Sequence, residues 1–367
     1  MKQADISTNN LEQTQETTEA PRPLSREQME AAHATAARLV DLLEDLPNGD
    51  LVGEIVANSL KLLRDQTNRG DIKLINQSMK ELRYALKVFG PYRDVRKVSI
   101  FGSARTPQEH DDYRQAAAFA KSMAADGWMV ITGAGGGIMA AGHGGAGADP
   151  SFGLAIRLPF EQATNEFIAR DRKLINFKYF FTRKVIFVRS CHAVAVFPGG
   201  FGTMDEAFEV MTLIQTGKSA PMPIVFVDRP GGDYWRCWQD YVEKQLLTRG
   251  LISPEDLSLY KITDDVAAAE REVKRFYSNF HSVRYTRDDL IIRLHRRPTE
   301  EQLAGITEKF SRLAVAGGNG SAPFQVTDAL PIERDETALA NLPRLIFPFN
   351  RRDHGGLRRL IDHLNTL

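Results

Sequence analysis

The sequence predicts an α/β protein whose central part is a doubly wound parallel sheet, preceded by a helical region and followed by a small α+β appendage. Short apolar runs alternate with helical stretches between about residues 97 and 280. Several of these runs end in glycine-rich turns that lead into a helix, a pattern typical of parallel sheets covered on both faces. The flanking segments differ, being helical before residue 93 and mixed after residue 282.

The composition is that of an ordinary globular protein of two or three domains. The chain has 367 residues, 43% of them hydrophobic and 26% charged, and its 47 basic residues balance its 47 acidic ones. A net charge of zero provides no general attraction to nucleic acid or to anionic lipid. No stretch reaches the roughly 18 apolar residues of a membrane helix, and the polar N-terminus does not resemble a signal peptide. We therefore expect a cytoplasmic protein with no nucleic-acid or membrane partner.

The N-terminal part is predicted to be a tail followed by helices. Residues 1–24 are rich in Gln, Thr, Glu and Asn, so we expect them to be disordered. Ser25 is the candidate N-cap of a first helix, and amphipathic helices are expected near 51–66 and 71–89. Residues 25–92 would thus form a helical region. The apolar residues expected to be buried by the helix at 51–66 are Leu51, Ile55, Leu60 and Leu63.

Residues 93–282 are predicted to form the doubly wound domain, on a Rossmann-like plan. The helix or strand choice is open at 177–190, where β-propensity favours a strand and apolar spacing favours a helix; we prefer the helix. The predicted strands are Val98–Phe101, Trp128–Thr132, Phe152–Ile156, Ala193–Phe197, Ile224–Val227 and a weaker Tyr260–Ile262. The predicted helices are 108–126, 137–147, 203–216, 234–248 and 264–278.

Residues 283–367 are predicted to form the α+β appendage. Arginine-rich clusters lie around 293–297 and 351–359. We expect these charges to be solvated, and the alternative is that they bind a phosphate or an effector. The predicted elements are strands at Leu290–Leu294, Phe324–Thr327 and Leu345–Phe349, helices at 300–313 and 356–365, and a glycine-rich break at 317–320.

Three glycine-bearing loops are predicted to meet at one edge of the sheet. Phe101–Arg105 follows the first strand, Thr132–Met139 the second and Pro198–Glu206 the fourth. Ligands of open α/β sheets bind beyond the carboxyl ends of the strands, and a helix that starts after a glycine loop attracts an anion. One such loop alone could be a tight turn, but three together predict a pocket for a phosphorylated ligand. Asp228–Asp233, after a later strand, is predicted as a turn that borders this edge.

Charged and hydroxyl side chains accompany the third loop. Thr203 falls at the start of a helix, where its hydroxyl and its N–H can both meet a phosphate. Glu206 lies in the first turn and Thr212 continues that face of the helix; the alternative for Glu206 is a capping carboxylate. Arg183 and Lys184 precede an apolar run. They are interpreted either as structural cations or, for Arg183, as a partner of the ligand or of Glu206.

At these motifs the chain resembles the LONELY GUY (LOG) family, nucleoside 5′-monophosphate phosphoribohydrolases that are often described as lysine decarboxylase-like. The family hallmark PGGxGTxxE matches Pro198–Glu206 without a gap, and an upstream Arg-Lys pair matches Arg183-Lys184. The FGS start matches Phe101–Ser103, and the GIM loop matches Gly135–Met139. The resemblance covers about residues 95–280.

The resemblance implies hydrolysis of the N-glycosidic bond of a purine or cytokinin nucleoside 5′-monophosphate, without a cofactor or a metal. Arg183 and Glu206 would be the catalytic pair. The family commonly forms dimers, so a homodimer or a higher homo-oligomer is expected. Leu158–Gln162 is similar to a segment of the longer bacterial members, and its Glu161 would hold substrate. The other substrate- and phosphate-binding positions would be Ser103, Gly135, Gly136, Gly137, Lys184, Gly199, Gly200, Gly202, Thr203 and Thr212.

The chemistry of these side chains agrees with such a reaction. Glycosidic cleavage passes through an oxocarbenium-like state, which the Glu206 carboxylate could stabilise while it positions hydroxyls or activates water. Arg183 could orient Glu206 or help the base to leave. Nothing marks a lysine for pyridoxal phosphate, which argues against decarboxylation.

The sequence departs from the family at two positions of the second loop. Gly136 and Ala140 replace a proline and an acidic residue that are usual in the family, and this difference affects the base specificity that the resemblance implies. The alternative function is a nucleotide-binding sensor without catalysis.

Overall fold

The computed structural model describes residues 25–43, 45–158, 164–315 and 323–367. The chain divides between residues 77 and 78 into two compact units. The tail predicted at 1–24 lies outside the described residues, and the domain boundaries expected at 92 and 282 stay predictions. Within the described ranges, no helix is long and apolar enough to cross a membrane.

The N-terminal region consists of helices, as predicted. They are α1 (Arg26–Leu43), α2 (Gly49–Arg64) and α3 (Arg69–Phe89). The N-cap prediction is confirmed, because the Ser25 hydroxyl accepts a hydrogen bond of 3.1 Å from the Gln28 N–H.

The prediction that α2 buries its leucine and isoleucine stripe is wrong for Leu51, Ile55 and Leu63, which are exposed, whereas Leu60 is half-buried. Helix α2 packs on α1 at Gly53, which lies against the Val40 side chain. At 3.6 residues per turn, Leu51 and Ile55 lie about 160° from Gly53 around the helix, and both side chains are half-exposed. The periodicity therefore identified a helix but not the face by which it packs.

The central sheet has seven parallel strands with helices on both sides. The strands are β1 (Lys97–Phe101), β2 (Met129–Thr132), β3 (Ser151–Ile156), β4 (Leu174–Phe177), β5 (Ala193–Val196), β6 (Ile224–Val227) and β7 (Tyr260–Thr263). The helices are α4 (Asp111–Ala125), α5 (Ile138–Ala146), α6 (Phe180–Ser190), α7 (Phe201–Gln215), α8 (Tyr234–Tyr241) and α9 (Val266–Phe276). The strand order is β4-β3-β2-β1-β5-β6-β7, which confirms the doubly wound α/β fold.

Both faces of this sheet are apolar because its strands alternate between two cores. Ile100 and Val225 belong to the core formed with α4, α5 and α9. Their neighbours Phe101 and Phe226 belong to the core formed with α6, α7 and α8. Such a strand reads in sequence as a continuous apolar run, which is why the short runs were recognisable.

One edge of the sheet differs from the prediction. The helix preferred for residues 177–190 is confirmed as α6, but it begins at Phe180, and Leu174–Phe177 forms the additional strand β4. Strand β4 has only four residues, of which Ile175 and Phe177 are buried while Asn176 is exposed. A segment this short has too few alternations to be recognised without its partner β3.

The C-terminal region adds a four-stranded antiparallel sheet, as the predicted α+β appendage requires. Its strands are β8 (Phe280–Tyr285), β9 (Leu290–Leu294), β10 (Gln325–Thr327) and β11 (Arg344–Phe347), in the order β10-β11-β9-β8. Helices α10 (Glu300–Phe310) and α11 (His354–Leu364) accompany it. Strand β8 was not predicted, because its half-buried residues are mostly polar and give no apolar run. The predicted break at 317–320 lies outside the described residues.

The arginine clusters of this region are partly structural. Arg293 and Arg344 are buried, and both form ion pairs with the buried Glu333, at 2.6 Å and 3.0 Å. Arg358 is buried too and pairs with Glu272 and with Asp362. The expectation that these clusters are solvated is therefore wrong for Arg293 and Arg358, because carboxylates distant in sequence neutralise them.

Candidate active site at the carboxyl edge of the central sheet

The strand order places a crevice between β1 and β5. Strands β2, β3 and β4 continue the sheet on one side of β1, whereas β6 and β7 continue it beyond β5. Phe101 and Val196, at the carboxyl ends of β1 and β5, are paired in register. The loops that leave these two strands diverge, which is the usual ligand position in this kind of sheet. A cleft of about 640 Å³ opens there.

Ser103 connects the three glycine loops behind this cleft. Its N–H donates to the Pro198 carbonyl at 3.1 Å, and its carbonyl accepts from the Ile138 N–H at 3.0 Å. Its hydroxyl accepts from the Arg105 N–H at 3.1 Å. The three loops therefore form one hydrogen-bonded surface rather than three separate turns.

Two glycines are required by the close approach of these loops. Gly137 has a φ of +58°, and a Cβ at this position would overlap the Ser103 carbonyl. A Cβ at Gly199 would overlap the Thr203 hydroxyl and lie 2.9 Å from the Ser103 nitrogen. Any side chain at either position would force the loops apart.

Arg183, on α6, brings a half-buried positive charge to the cleft. Its Nε donates to the Leu154 carbonyl at 2.7 Å, and its guanidinium lies 5.1 Å from the centre of the Phe187 ring. Burial lowers the pKa of Arg183 to about 10, although the nearby Glu206 acts in the opposite direction. The Nη groups of Arg183 have no hydrogen-bond partner within the described ranges, and Arg183 lines the cleft. The side chain can therefore donate to a ligand.

Glu206 lies in the second turn of α7, because the helix begins at Phe201 and not at Thr203 as predicted, and it also lines the cleft. The residue is 7% exposed, and its Oε2 has no hydrogen-bond partner among the residues that the structure describes. Burial raises the pKa of Glu206 to about 7, while Lys184 and Arg183 lower it and two neighbouring carboxylates raise it further. A buried carboxyl without a partner is costly, and such groups are concentrated at functional sites.

Lys184 faces carboxylates rather than the cleft. Its Nζ lies 2.9 Å from an oxygen of Asp205 and 2.5 Å from an oxygen of Glu209. Burial disfavours the charged form of Lys184, but the hydrogen bonds to Glu209 and Asp205 outweigh it and raise its pKa. Lys184 thus acts on Glu206 as a nearby positive charge.

Asn165 and His143 support the second glycine loop through hydrogen bonds. The Asn165 side-chain amide donates to the Gly135 carbonyl at 3.0 Å, and its backbone N–H donates to the Ala134 carbonyl at 2.9 Å. That amide also lies 3.1 Å from Nδ1 of the buried His143, whose Nε2 lies 3.0 Å from the Phe152 carbonyl. Because a carbonyl only accepts, Nε2 carries the proton. The neutral ring, favoured by the burial that lowers the pKa of His143, then accepts from Asn165.

Most of the central domain matches a known protein family. Residues 136–273 match the model of a family described as "Possible lysine decarboxylase". The match begins within the second glycine loop and ends in α9. It includes Arg183, Glu206 and the whole of Pro198–Glu206. Over these residues the central domain resembles this family, in agreement with the resemblance of its motifs to the LOG family, and it is called the LOG-like domain.

Solved structures align with about half of the chain. The molybdenum cofactor binding protein from Rippkaea orientalis is 19% identical, with 49% of this chain and 96% of that chain covered at a TM-score of 0.35. The Moco carrier protein from Chlamydomonas reinhardtii gives the same values. DNA processing protein A from Helicobacter pylori is 12% identical over 50% of this chain and 83% of that chain, with a TM-score of 0.32. No curated protein matches the chain. At these TM-scores the likenesses carry no inference about activity.

The LOG-like domain brings only part of the predicted site to the cleft. Gly135, Gly136, Gly137 and Gly199 are not among the lining residues; Gly137 and Gly199 lie at the loop contacts behind the cleft. Thr212 lines a separate apolar hollow of about 100 Å³ further along α7. Glu161 lies outside the described residues. The predicted residues that line the cleft are Ser103, Arg183, Gly200, Gly202, Thr203 and Glu206.

Several residues of the site were missed by sequence reasoning. Arg105 and Asp205 add charge to the cleft, and Phe201, which lies between the glycines of the third loop, is 96% exposed. An apolar side chain inside a glycine loop is a signal that could have identified Phe201. No sequence pattern marks Asn165, whose role depends on the folded loop. Among the described residues, no group of three or more His, Cys, Asp or Glu could hold a metal ion.

Proposed function

We propose that the LOG-like domain hydrolyses the N-glycosidic bond of a nucleoside 5′-monophosphate, releasing the free base and ribose 5-phosphate. The observation that carries this proposal is Glu206, a buried carboxyl with an unpaired oxygen and a pKa of about 7 that lines the cleft. A group that titrates near neutral pH suits proton transfer under physiological conditions.

The phosphate is expected to bind at the start of α7. The first N–H groups of an α-helix have no acceptor inside the helix, and its positive end attracts an anion. Here those groups belong to Phe201 and Gly202, which line the cleft together with the Thr203 side chain. Arg105 lines the same cleft and supplies a positive charge. A phosphate held there would position the attached ribose over Glu206, one turn further along the helix.

Glu206 and Arg183 would then carry the chemical step. As C1′ of the ribose loses the base, the Glu206 carboxylate stabilises the positive charge on the sugar and accepts a proton from the attacking water. The water oxygen forms the new bond to C1′, and the electron pair of the broken C–N bond leaves with the base, which takes up a proton. Arg183, whose Nη groups are unpaired within the described residues, can donate to the departing base.

The arrangement favours hydrolysis over amino-acid decarboxylation. A decarboxylase that works through a Schiff base needs a lysine amine that is free to react. The described residues that line the cleft include no lysine. Lys184, next to the cleft, is held in its charged form by Asp205 and Glu209.

The proposal is tested by measuring base release. AMP, GMP, CMP, UMP and the 5′-monophosphate of a cytokinin riboside are incubated with wild type, with Glu206→Gln and with the matched control Glu209→Gln on the same helix. We expect release from AMP and the cytokinin nucleotide by wild type and control, and release slowed by about 10²–10⁴-fold by Glu206→Gln. Nucleosides without phosphate should be poor substrates. Binding of AMP without release of any base would overturn the proposal in favour of a nucleotide sensor.

We also propose that the domain works as a homodimer or a higher homo-oligomer. The side chains of Phe180, Phe181 and Val185 on α6 are about half exposed. Apolar groups clustered at a surface are typical of contacts between subunits. Light scattering tests this proposal, and a strictly monomeric mass would contradict it.

A further inference from the structure

A cluster of arginines and histidines lies at the amino ends of β1 and β5, at the edge of the central sheet opposite the cleft. Arg96 immediately precedes β1, while His281 lies in β8 and His295 directly follows β9. The rings of these two histidines are 5.4 Å apart. The charge of Arg96 acts on both of them and on His192, which immediately precedes β5. The charge of Arg296 acts on His295 as well. We call Arg96, His281, His295 and Arg296 the amino-edge cluster.

Arg96 has been partly removed from water without gaining a counter-charge. The residue is half-buried, and its guanidinium lies 3.6 Å from the centre of the Tyr277 ring and 5.9 Å from that of Trp128. Burial lowers the pKa of Arg96, which shows that the surroundings disfavour its charge. In the described part of the chain, its guanidinium has neither a hydrogen bond nor an ion pair. Its N–H donors are therefore available to an anion.

Arg296 is held in place by the buried Asn279. The Arg296 N–H donates to the side-chain oxygen of Asn279 at 2.8 Å, and the His295 N–H donates to the backbone carbonyl of Asn279 at the same distance. The guanidinium of Arg296 donates to the Ser278 carbonyl at 3.2 Å. Arg296 forms no ion pair within the described ranges. A second unmatched positive charge is thus fixed beside the histidines.

The two histidines are neutral because of these neighbours. Burial, His295 and Arg96 lower the pKa of His281 to about 4, and burial, Arg96 and Arg296 lower the pKa of His295. Nδ1 of His281 lies 2.9 Å from the Ser282 hydroxyl. Among the described residues, Nε2 of His281 and both ring nitrogens of His295 have no hydrogen-bond partner. Each neutral ring carries one N–H and can take up a second proton when an anion offsets the arginines.

We propose that the amino-edge cluster binds a phosphoryl group, either free phosphate or the phosphate of a small phosphorylated metabolite. Guanidinium groups match the oxygens of phosphate in geometry and charge, and the two imidazoles add N–H donors from the neighbouring sheet. A dianion with several acceptor oxygens offsets the mutual repulsion of these groups better than a single carboxylate. The cleft shares no residue with the cluster, and the inference does not depend on the proposed hydrolysis.

Histidine NMR provides the test, because the described residues that line the cleft include no histidine. The eight histidines of the chain are labelled with ¹³C at Cε1, and two signals are assigned with His281→Gln and His295→Gln. Inorganic phosphate is titrated at pH 7 and at constant ionic strength, with chloride as the balancing anion. We expect saturable shifts of both signals and a raised pKa of both rings, since a bound anion favours the charged imidazole.

Ribose 5-phosphate and AMP distinguish the two sources of the phosphoryl group. Both compounds would also enter the cleft, but the His281 and His295 signals report on the cluster. Shifts at the lowest concentration with inorganic phosphate would assign the site to the free anion. Shifts at a lower concentration with either ester would assign it to a phosphorylated metabolite.

Variants locate the binding. Arg96→Gln and Arg296→Gln should each weaken phosphate binding about tenfold or more, because each removes hydrogen bonds between charged groups. The matched control is Arg297→Gln, since Arg297 is adjacent in sequence but pairs with Asp328, and it should bind phosphate like wild type. Arg296 and Arg297 are both exposed, so this pair of variants decides the question even if Arg96→Gln does not fold.

Three results would overturn the assignment. They are His281 and His295 signals that phosphate leaves unmoved, equal shifts with chloride alone at the same ionic strength, and a phosphate affinity that Arg296→Gln does not change more than Arg297→Gln. Absence of base release in the nucleotide assay would leave the assignment intact.

Discussion

Two buried glutamates in this protein have opposite surroundings. Glu206, at the carboxyl edge of the central sheet, is 7% exposed and keeps an unpaired oxygen, and burial raises its pKa to about 7. Glu333, beside the C-terminal sheet, is 3% exposed and is bound by Arg293 and Arg344. Burial also acts to raise the pKa of Glu333, but its hydrogen bonds to the arginines outweigh burial and lower it.

The difference separates the structural role of Glu333 from the catalytic role proposed for Glu206. The charge of Glu333 is matched inside the protein, so it has no capacity left for a ligand. Glu206 has two cations nearby, but Lys184 is paired with other carboxylates and Arg183 forms no ion pair with it in the described residues. The free-energy cost of burying the Glu206 carboxyl is offset only when a ligand binds beside it, which is typical of an active-site group. Burial alone would not have distinguished the two residues.

The largest expected effect is on catalysis. Glu206→Gln keeps the shape of the side chain but removes the charge and the proton acceptor. We expect kcat for base release to fall by about 10²–10⁴-fold, the usual contribution of general acid–base catalysis, with AMP binding retained. Stopped assays of base release and calorimetric binding measure the two quantities. A variant that releases base at the wild-type rate would remove Glu206 from the chemistry.

The next largest effect is on folding. Glu333→Gln leaves Arg344, which is fully buried, without a counter-charge, and leaves Arg293 with Glu336 alone. Breaking a buried ion pair from one side costs about 3–5 kcal/mol of unfolding free energy. Urea denaturation should show this loss, whereas the folded variant should release base normally. A variant as stable as wild type would show that the network contributes little.

Removing the charge of Glu206, in contrast to that of Glu333, should stabilise the folded protein. Its pKa rises from 4.5 in the unfolded chain to about 7 in the folded one. Stability is therefore lost as the pH rises from 4.5 to 7, and the loss levels off above 7 at about 3 kcal/mol. Glu206→Gln should be more stable than wild type by up to that amount at pH 8 and equal to it near pH 4. Thermal melts at both pH values measure the difference, and equal melts at pH 8 would contradict the raised pKa.

The smallest effect tests the electrostatics around Glu206. If its carboxylate is the active form, kcat/KM should increase with pH with a midpoint near pH 7. Lys184 lowers the pKa of Glu206, so Lys184→Met should move the midpoint upward and slow the reaction a few-fold below it, with little effect at high pH. Lys274→Met, which removes a surface ion pair on α9, is the control. An unchanged midpoint would show that Lys184 does not tune Glu206.

Much of the fold could be predicted because its signals are local. Strands such as β6 are continuous apolar runs, and the three glycine loops mark the ends of strands that share an edge. Strand β4 and the packing face of α2 were not predictable in the same way. The first depends on pairing with β3, and the second depends on where Gly53 meets α1.

The candidate site likewise contains residues that the sequence identified and others that only the structure could place. Thr203, Arg183 and Glu206 were identified by residue type and spacing, and all three line the cleft. Lys184 and Thr212 were equally plausible in sequence, but the structure places Lys184 against Asp205 and Glu209, and Thr212 in another hollow. The supporting hydrogen bond from Asn165 to the second loop joins residues 30 positions apart, so no local pattern contains it.

The amino-acid sequence by itself determined the doubly wound fold, the three loops at one edge and the identity of the charged residues near them, because apolar periodicity and glycine placement act over a few neighbouring residues. Only the tertiary structure decided which buried charges have a partner of opposite charge. Whether a buried glutamate meets two arginines, like Glu333, or an unfilled cleft, like Glu206, depends on elements that are distant in the chain. Desolvation and pairing, which set the pKa and hence the chemistry, are properties of that assembled environment.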